Sequence, residues 1–267
     1  MTEPNQKRET WAQGESYEPY IGRWSRVAAR EFIKWLNVQN DKRWLDVGCG
    51  TGAVTQAILE LAAPQAVVGV DNSEGYVQYA REHTQDARAT FQVGDAQDLK
   101  TERGGYDAVV SGLVLNFVPS PERMVAEMTR ACRLNGRVGV YLWDYADKME
   151  LLRYFWDAAS ALDLSARELD EGSRFPLANA KGLWNLFLDA YLNDVMTRAI
   201  DVPMHFANFD ELWAPFLLGQ GAAPHYVMAL NEDQRGALRE RYAQILPRNA
   251  DGSIDLIGRA WAVKGTR

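Results

Sequence analysis

The sequence has few of the residues that build disulfide frameworks, metal centres or nucleic-acid surfaces. Two of its 267 residues are cysteine and three are histidine. Cys49 lies in a glycine-rich stretch and Cys132 in a predicted helix, so neither a disulfide framework nor a metal site is indicated. The net charge is −7 and basic residues do not cluster, which disfavours a nucleic-acid substrate. This cysteine usage is typical of a reducing, cytoplasmic setting.

Long apolar runs are also missing. No stretch approaches the roughly 18 apolar residues of a membrane-spanning helix, and the N-terminus lacks the apolar segment of an export signal. We therefore expect neither membrane spanning nor export. The apolar content of 47% suits one large folded domain, or one domain with a sizeable insertion.

Three glycines at alternate positions follow a short apolar run that ends at Val47. They are Gly48, Gly50 and Gly52, and residues 53–63 then carry apolar side chains at helical spacing. This pattern predicts a strand, a tight turn and a helix. Glycine allows the backbone angles of the turn and lets a ligand lie directly on the main chain. The stretch therefore predicts a cofactor-binding loop in a doubly wound α/β domain.

The same stretch identifies a family. With Asp46 two residues before it, the string Gly48-Cys49-Gly50-Thr51-Gly52 closely resembles motif I of the class I S-adenosylmethionine-dependent methyltransferases. The resemblance implies S-adenosyl-L-methionine as cofactor, bound by Asp46, Gly48, Cys49, Gly50 and Gly52. Gly48, Gly50 and Ala53 also satisfy the dinucleotide fingerprint, so an NAD-dependent oxidoreductase is the alternative.

An acid closes the next predicted strand. The apolar run 66–70 ends in Asp71, which is suited to accept hydrogen bonds from both hydroxyls of a ribose. The alternative is a charge at a helix N-terminus, because Ser73 is a suitable N-cap for a helix over 74–82. The family resemblance adds Asn72 to the cofactor-binding residues.

Two further segments extend the resemblance. The predicted third strand leads into Asp95 and Ala96, which match the positions that contact adenine in the family, although a surface turn is the alternative. The predicted fourth strand ends at Ser111 and continues into residues 112–117, the family's motif IV, which the resemblance places next to the transferring methyl group. We expect Ser111 and Leu113 to line the adenosine site. The segment lacks the Asn/Asp-Pro-Pro-Tyr/Phe signature of amide-directed methyltransferases.

Aromatic residues are dense before the first predicted helix, which starts near residue 25. Tyr17, Tyr20 and Trp24 either pack this helix onto the sheet or belong to a segment that closes over the cofactor. In the second case, Tyr20 lies at the cofactor, and Arg23 or Arg26 binds the carboxylate of its methionine end, because arginine suits bidentate carboxylate binding.

Residues 144–195 are predicted to be a helical insertion that binds the substrate. Two amphipathic helices, near 149–159 and 183–190, would cover the cleft at the carboxyl edge of the sheet. Aromatic side chains there form either an apolar pocket or ordinary core. They are Trp143, Tyr145, Trp156, Phe175 and Trp184.

The predicted fold is α/β, a doubly wound, mostly parallel seven-stranded sheet with an inserted helical substrate cap. The predicted regions are an N-terminal segment (1–24), a cofactor-binding core (25–143), the insertion (144–195) and C-terminal strands and helices (196–267). A helix that begins at Ser120-Pro121 is expected to end at Asn135-Gly136, and residues 219–225 are expected to form a loop.

The expected activity is methyl transfer to a small, apolar or aromatic acceptor, at oxygen, nitrogen or carbon. No catalytic residue and no metal ligand is identified, and His205 and His225 are the candidates for a general base. Besides the oxidoreductase, the alternative is a non-catalytic cofactor-binding subunit of another methyltransferase. The oligomeric state stays open.

Overall fold

One sheet organises the computed structural model, which describes residues 18–101, 103, 105–219 and 221–267. In this part of the chain the sheet has seven strands, in the order β3-β2-β1-β4-β5-β7-β6. They are β1 (Arg43–Val47), β2 (Ala66–Asp71), β3 (Ala89–Val93), β4 (Tyr106–Gly112), β5 (Cys132–Trp143), β6 (Asn193–Phe206) and β7 (Ile254–Thr266).

The strand directions confirm the predicted α/β class. β1 pairs in parallel with β2 and β4, so that Leu45 lies opposite Val68 on one side and Val109 on the other. β7 runs antiparallel between β5 and β6. Because parallel strands end at a common edge, the loops after β1, β2, β3 and β4 meet there, and the strand order reverses between β1 and β4.

Helices cover both faces of this sheet. The helices of eight or more residues are α1 (Arg23–Leu36), α2 (Ala53–Leu61), α3 (Glu74–His83), α4 (Pro121–Ala131), α5 (Glu150–Leu162), α7 (Ala180–Asp189), α9 (Ala222–Ala229) and α10 (Glu232–Ile245). Two shorter ones are α6 (Glu171–Arg174) and α8 (Phe209–Trp213), and a π-helical turn, Glu18–Gly22, precedes α1.

Two helices were predicted to cover the cleft, and this prediction is wrong for one of them, α7. A Cβ on Gly139 would touch Phe32 of α1, whereas a Cβ on Gly265 would touch Phe187 of α7. Gly139 pairs with Lys264, the neighbour of Gly265, so α1 and α7 lie on opposite faces of the sheet. α7 is therefore a sheet-covering helix, because its apolar stripe packs on β6 and β7.

The other helix, α5, belongs to a layer that extends beyond the predicted insertion. It packs against α9 and α10, and the Tyr242 hydroxyl of α10 donates to the carbonyl oxygen of Leu151 at 2.7 Å. The Phe155 ring stacks on Phe216, with centroids 4.9 Å apart. We call this layer the cap; it consists of α5 and residues 163–174, 209–219 and 221–245.

Two local predictions are also wrong. The helix that begins at Pro121 ends at Ala131, because Cys132 is already extended and pairs with Tyr106 of β4. Asn135 has φ +60° and lies inside β5, where the pairing with β4 shifts register between Cys132 and Arg137. Residues 222–225 of the expected loop belong to α9, whose buried side chains pack into the cap. The start of α4 is as predicted, since the Ser120 side chain accepts a hydrogen bond from the Arg123 N–H.

Candidate cofactor site

The glycine loop lies between β1 and α2, at the point where the strand order reverses. Gly48, Gly50 and Gly52 have φ angles of +73°, +51° and +90°, which other residues adopt only at a cost. The N–H groups of Gly48 and Cys49 both donate to the carbonyl oxygen of Val70, at 2.6 and 3.0 Å. These bonds fix the loop against the end of β2.

The loop is closed on one side and open on the other. A Cβ on Gly48 would lie 2.5 Å from the Val114 side chain, which follows β4, whereas a Cβ on Gly50 would meet no atom within 4 Å. The main chain at Gly50 therefore faces open space, as a loop that receives a ligand requires. Leu113, beside Val114, has φ +63° and donates from its N–H to the Tyr141 carbonyl oxygen at 2.8 Å.

Asp46 lies under this loop and is fully buried. Its Oδ2 accepts a hydrogen bond from the Thr55 hydroxyl at 2.7 Å, whereas its Oδ1 has no hydrogen-bond partner among the described residues. Burial raises the pKa of Asp46 to about 7. A buried carboxylate oxygen without a partner costs free energy, and it is suited to receive the N–H donors of a ligand.

Asp71 closes β2 beside the glycine loop. Its two carboxylate oxygens accept hydrogen bonds from the N–H groups of Gly50 and Ser73, each at 2.9 Å. Burial raises its pKa, and these bonds oppose the shift. Ser73 is also the N-cap of α3, as the sequence predicted. Asn72, between them, is exposed.

The end of β3 joins the same edge. The Gly94 N–H donates to the Asp71 carbonyl oxygen at 2.9 Å, and the Asp95 carboxylate accepts from the Gln97 N–H at 2.8 Å. Asp95 is exposed and Ala96 half-buried. The structure thus brings the acids at the ends of β1, β2 and β3 to one edge; adenine contact by Asp95 and Ala96 stays a prediction.

Other predicted site residues have neighbours elsewhere. The Cys49 thiol packs against Val77, Ala80 and Phe91, and burial raises its pKa well above the usual range. Its side chain is therefore core, and only its main chain faces the loop. The Ser111 hydroxyl is buried and has no hydrogen-bond partner in the described ranges.

The aromatic segment before α1 packs against the cap and β6. The Tyr20 ring lies 5.4 Å from Phe216, and the Arg23 guanidinium pairs with Glu211 at 2.9 Å. It also lies over the Trp24 ring, 4.4 Å from its centroid. These contacts support the packing alternative; cofactor binding by Tyr20 or Arg23 stays a prediction. Tyr17 lies outside the described residues.

The histidines occupy exposed positions. His205, on β6, hydrogen-bonds to Asp255 at 2.7 Å, and His225 is exposed on α9. No group of three or more His, Cys, Asp or Glu residues suited to a metal ion occurs in the described ranges. The described helices include none long and apolar enough to cross a membrane.

Three aromatic rings meet near the carboxyl ends of β4 and β5. The Phe175 ring, at the end of α6, lies 5.2 Å from Phe117 and 5.3 Å from Tyr145. We call Phe117, Tyr145 and Phe175 the aromatic cluster. Phe117 ends the segment 112–117 that the family resemblance places next to the methyl group, but its part in an aromatic cluster was not predicted. Trp143 and Trp156, predicted beside them, are buried core, and Trp184 is exposed on α7.

Comparisons with known proteins agree with this geometry. Residues 45–140 match the model of the methyltransferase domain family. The demethylmenaquinone methyltransferase of Symbiobacterium thermophilum is 32% identical over 121 residues, which are 43% of this chain and 48% of that protein. The ribosomal protein L11 methyltransferase of Neisseria gonorrhoeae is 33% identical over 157 residues, 57% of this chain and 49% of that protein.

The fold is also found in solved structures. Phosphoethanolamine N-methyltransferase 2 of Haemonchus contortus, in complex with S-adenosyl-L-methionine, has a TM-score of 0.60 at 17% identity, covering 94% of this chain and 56% of that one. The chain spans about half the length of these methyltransferases of Symbiobacterium thermophilum and Neisseria gonorrhoeae.

The residues of the site fit S-adenosyl-L-methionine, the cofactor of this family. The open main chain at Gly50 leaves room for a ligand on the loop. Asp71 offers a carboxylate beside that loop, which suits a ribose diol. The unpartnered Oδ1 of Asp46 suits a donor such as the ammonium group of the cofactor.

Proposed function

We propose, from the premise that this chain contains a class I S-adenosylmethionine-dependent methyltransferase domain, that it methylates a small apolar or aromatic acceptor. The observation that carries the proposal is the aromatic cluster at the carboxyl ends of β4 and β5. It lies beside the strand-order reversal where ligands bind in folds of this kind. Aromatic side chains with few polar groups are typical of small-molecule sites.

Each site residue has a role in this proposal. Asp71 holds the ribose, Asp46 receives donors from the methionine end, and the main chain at Gly50 forms the floor of the site. The bound cofactor supplies a methyl group activated on a sulfonium. The protein then aligns the acceptor in line with the S–CH₃ bond, and such positioning is worth up to about 7 to 11 kcal/mol.

The transfer itself needs little further chemistry from the protein. An acceptor oxygen, nitrogen or carbon forms the new bond to the methyl group while the S–CH₃ bond breaks and its electron pair stays on sulfur. The acceptor's proton leaves to water. We propose that His205 is not the base, because β6 is three strands from β4 in the sheet, about 14 Å at the usual spacing.

The names of the relatives do not select the acceptor. One is named for demethylmenaquinone and another for a ribosomal protein, and each name describes that protein alone. The choice of a small aromatic acceptor for this chain therefore rests on the aromatic cluster. A protein substrate would need a surface around the site that accommodates a folded partner.

Calorimetric titration with S-adenosylhomocysteine and with NADH tests the cofactor. We expect binding of S-adenosylhomocysteine only. Tight NADH binding without it would favour the oxidoreductase alternative and overturn the proposal.

Incubation with methyl-labelled S-adenosylmethionine and a metabolite extract tests the activity. We expect labelled methyl groups in small aromatic products. Transfer only after addition of a second protein would identify a partner subunit instead, and label found only in protein would overturn the small-molecule acceptor.

A further inference from the structure

The cap contains a cavity of its own, separate from the cofactor site. It has a volume of about 310 Å³ and lies between α5 and the segment that leads into α6. α5 contributes Asp157 and Ser160 to its walls, and the segment contributes Arg167 and Ser173. A volume of this size is at the lower end of the range of small-ligand sites, roughly 300 to 1,000 Å³. The lining residues include none of the aromatic cluster and none of the cofactor loop.

Two of the lining residues carry opposite charges that are not paired. The side chains of Asp157 and Arg167 form no ion pair and no hydrogen bond within the described ranges. Both are exposed, and a single exposed charge needs no explanation. Here, however, an acid and a base lie on the two sides of one cavity and do not reach each other. A ligand with both charges would bridge them.

The remaining charged groups around the cavity already have partners. The Asp170 carboxylate accepts two hydrogen bonds from Arg153, one of them at 3.0 Å, and a third from the Gly172 N–H at 2.8 Å. The buried Glu171 accepts a hydrogen bond from the indole N–H of Trp156 on α5. These bonds hold the segment against α5. The cavity is therefore formed without a ligand, which lowers the cost of binding one.

The charges on the walls limit the class of ligand. A guanidinium such as that of Arg167 binds a carboxylate through two parallel hydrogen bonds, and the Asp157 carboxylate binds an ammonium group. The hydroxyls of Ser160 and Ser173 both donate and accept, which suits a polar ligand. A ligand with a single charge would leave the opposite wall unpaired. A dianion such as phosphate would be repelled by Asp157.

We propose that this cavity binds a free α-amino acid, with its carboxylate on Arg167 and its ammonium group on Asp157. The inference does not depend on the proposed function, since no residue of that site lines the cavity. The bound amino acid lies against α6, which is directly followed by Phe175 of the aromatic cluster. Binding should therefore restrain the segment 167–175.

The test uses the full chain with saturating S-adenosylhomocysteine, so that the part of the cofactor site suited to an amino acid is occupied. Glycine, L-serine and L-glutamine are titrated by calorimetry. N-acetyl-L-serine, which keeps the carboxylate, and L-serinamide, which keeps the ammonium group, are the comparison ligands.

The variants Asp157→Asn and Arg167→Gln each remove one charge and keep a side chain of similar size. Glu168→Gln and Lys181→Gln are the matched controls, because both residues are exposed and neither lines the cavity. All four proteins should unfold at the temperature of the wild type, since the substituted side chains are exposed and surface substitutions rarely change stability.

We expect at least one of the three amino acids to bind the wild type, at least tenfold more tightly than N-acetyl-L-serine or L-serinamide. Asp157→Asn and Arg167→Gln should each lose at least tenfold of that affinity, whereas both controls stay within twofold of the wild type. Amide hydrogen exchange in residues 167–175 should slow when the amino acid is bound.

Five results would overturn the inference. They are no binding of any of the three amino acids, equal affinity for a ligand with one charge, unchanged affinity in Asp157→Asn or Arg167→Gln, an equal loss in the controls, or unchanged exchange in residues 167–175. A wild type that fails to bind S-adenosylhomocysteine would instead overturn the proposed function, and the variants would still locate the amino acid. The two failures are therefore distinct.

Discussion

At the scale of single residues, the site depends on carboxylates that the fold buries. Asp46 and Asp71 are both buried with raised pKa values, which is unusual for groups that are otherwise ionised at neutral pH. Asp71 is bonded by two backbone N–H groups, whereas one oxygen of Asp46 has no partner in the described part of the chain. The two acids therefore respond differently to mutation and to pH.

Asp71→Ala should weaken the binding of S-adenosylhomocysteine by about 1.5 to 3 kcal/mol, the usual contribution of hydrogen bonds to a charged group. It also releases the N–H groups of Gly50 and Ser73, so the loop itself loses support. Calorimetry measures the affinity, and Asp71→Asn, of the same shape, is a milder change that removes the charge and one of the two acceptor oxygens. Unchanged affinity in Asp71→Ala would refute the ribose role.

The pH dependence of stability should report Asp46. Its pKa is about 7 in the folded protein against an ordinary value of 3.8, so the folded state holds a proton that the unfolded state has released between those values. Its contribution to the free energy of unfolding is therefore constant below about pH 4, falls as the pH rises to about 7, and is constant above. The total loss is up to about 4 kcal/mol.

Urea unfolding of the cofactor-free wild type and of Asp46→Asn, from pH 4 to 8, isolates this contribution. Other carboxyl groups titrate alike in both proteins, so the difference in the free energy of unfolding is the measured quantity. We expect Asp46→Asn to gain stability relative to the wild type as the pH rises from 4 to 7. A difference that does not change with pH would show that Asp46 titrates normally.

At the scale of elements, the glycine loop requires glycine at Gly48 and at Gly50 for different reasons. A side chain on Gly48 would collide with Val114, whereas one on Gly50 would project into open space. Both have positive φ angles, so both positions share a backbone cost of about 1 to 2 kcal/mol for other residues. The two positions therefore differ only in what an added side chain would meet, which is Val114 at Gly48 and open space at Gly50.

Gly50→Val should leave the protein folded and abolish cofactor binding, because its branched side chain occupies the floor of the site. Gly48→Ala should destabilise the fold by clearly more than the backbone cost, because Val114 must move. Thermal unfolding and S-adenosylhomocysteine calorimetry on both variants measure the contrast. Full cofactor affinity in a folded Gly50→Val protein would mean that the cofactor lies elsewhere.

Much of the element order could be predicted because it has a local cause. Alternating glycines after an apolar run predict the loop after β1, and Ser120-Pro121 predicts the start of α4. The end of α4 could not be predicted from Asn135-Gly136, since a left-handed Asn occurs in an irregular stretch of a strand as well as at a helix end. The helix ends before Cys132 because Cys132 pairs with Tyr106 of β4.

The site, like the order of the elements, could be predicted only in part. The acids at strand ends follow from the strand pattern, and the structure brings them to one edge. The apolar stripe of α7 shows that one helix face is buried, but not which surface covers it, and α7 covers the sheet instead of the cleft. Phe117 belongs to the segment that the resemblance places at the methyl group, but its contact with Phe175 is visible only once the fold is known.

At the scale of the whole molecule, aromatic packing connects the cap to the segment before α1. The Phe216 ring contacts Tyr20 on one side and Phe155 of α5 on another, with centroids 5.4 and 4.9 Å away. Tyr242 of α10 lies 5.8 Å from the same ring. A single buried residue therefore links three parts of the chain.

Phe216→Ala should lower the free energy of unfolding by about 3 to 5 kcal/mol, the usual cost of a cavity of this size. Chemical denaturation measures it, and Phe216→Leu, which fills part of the cavity, should cost less. Phe117→Ala is the control. The Phe117 ring is 41% exposed, so its removal should lower the free energy of unfolding far less. An equal loss in Phe216→Ala and Phe117→Ala would contradict this view of the cap.

The aromatic cluster has a consequence for how this protein can diversify. Its rings come from the segments after β4 and β5 and from the residue that follows α6, whereas the acids and glycines of the cofactor site come from β1, β2 and β3. Exchanging residues in the first group leaves the second group intact. A library randomised at Phe117, Tyr145 and Phe175 should therefore retain binding of S-adenosylhomocysteine while its members evolve new acceptor preferences, which makes the chain a suitable scaffold for engineered alkylation.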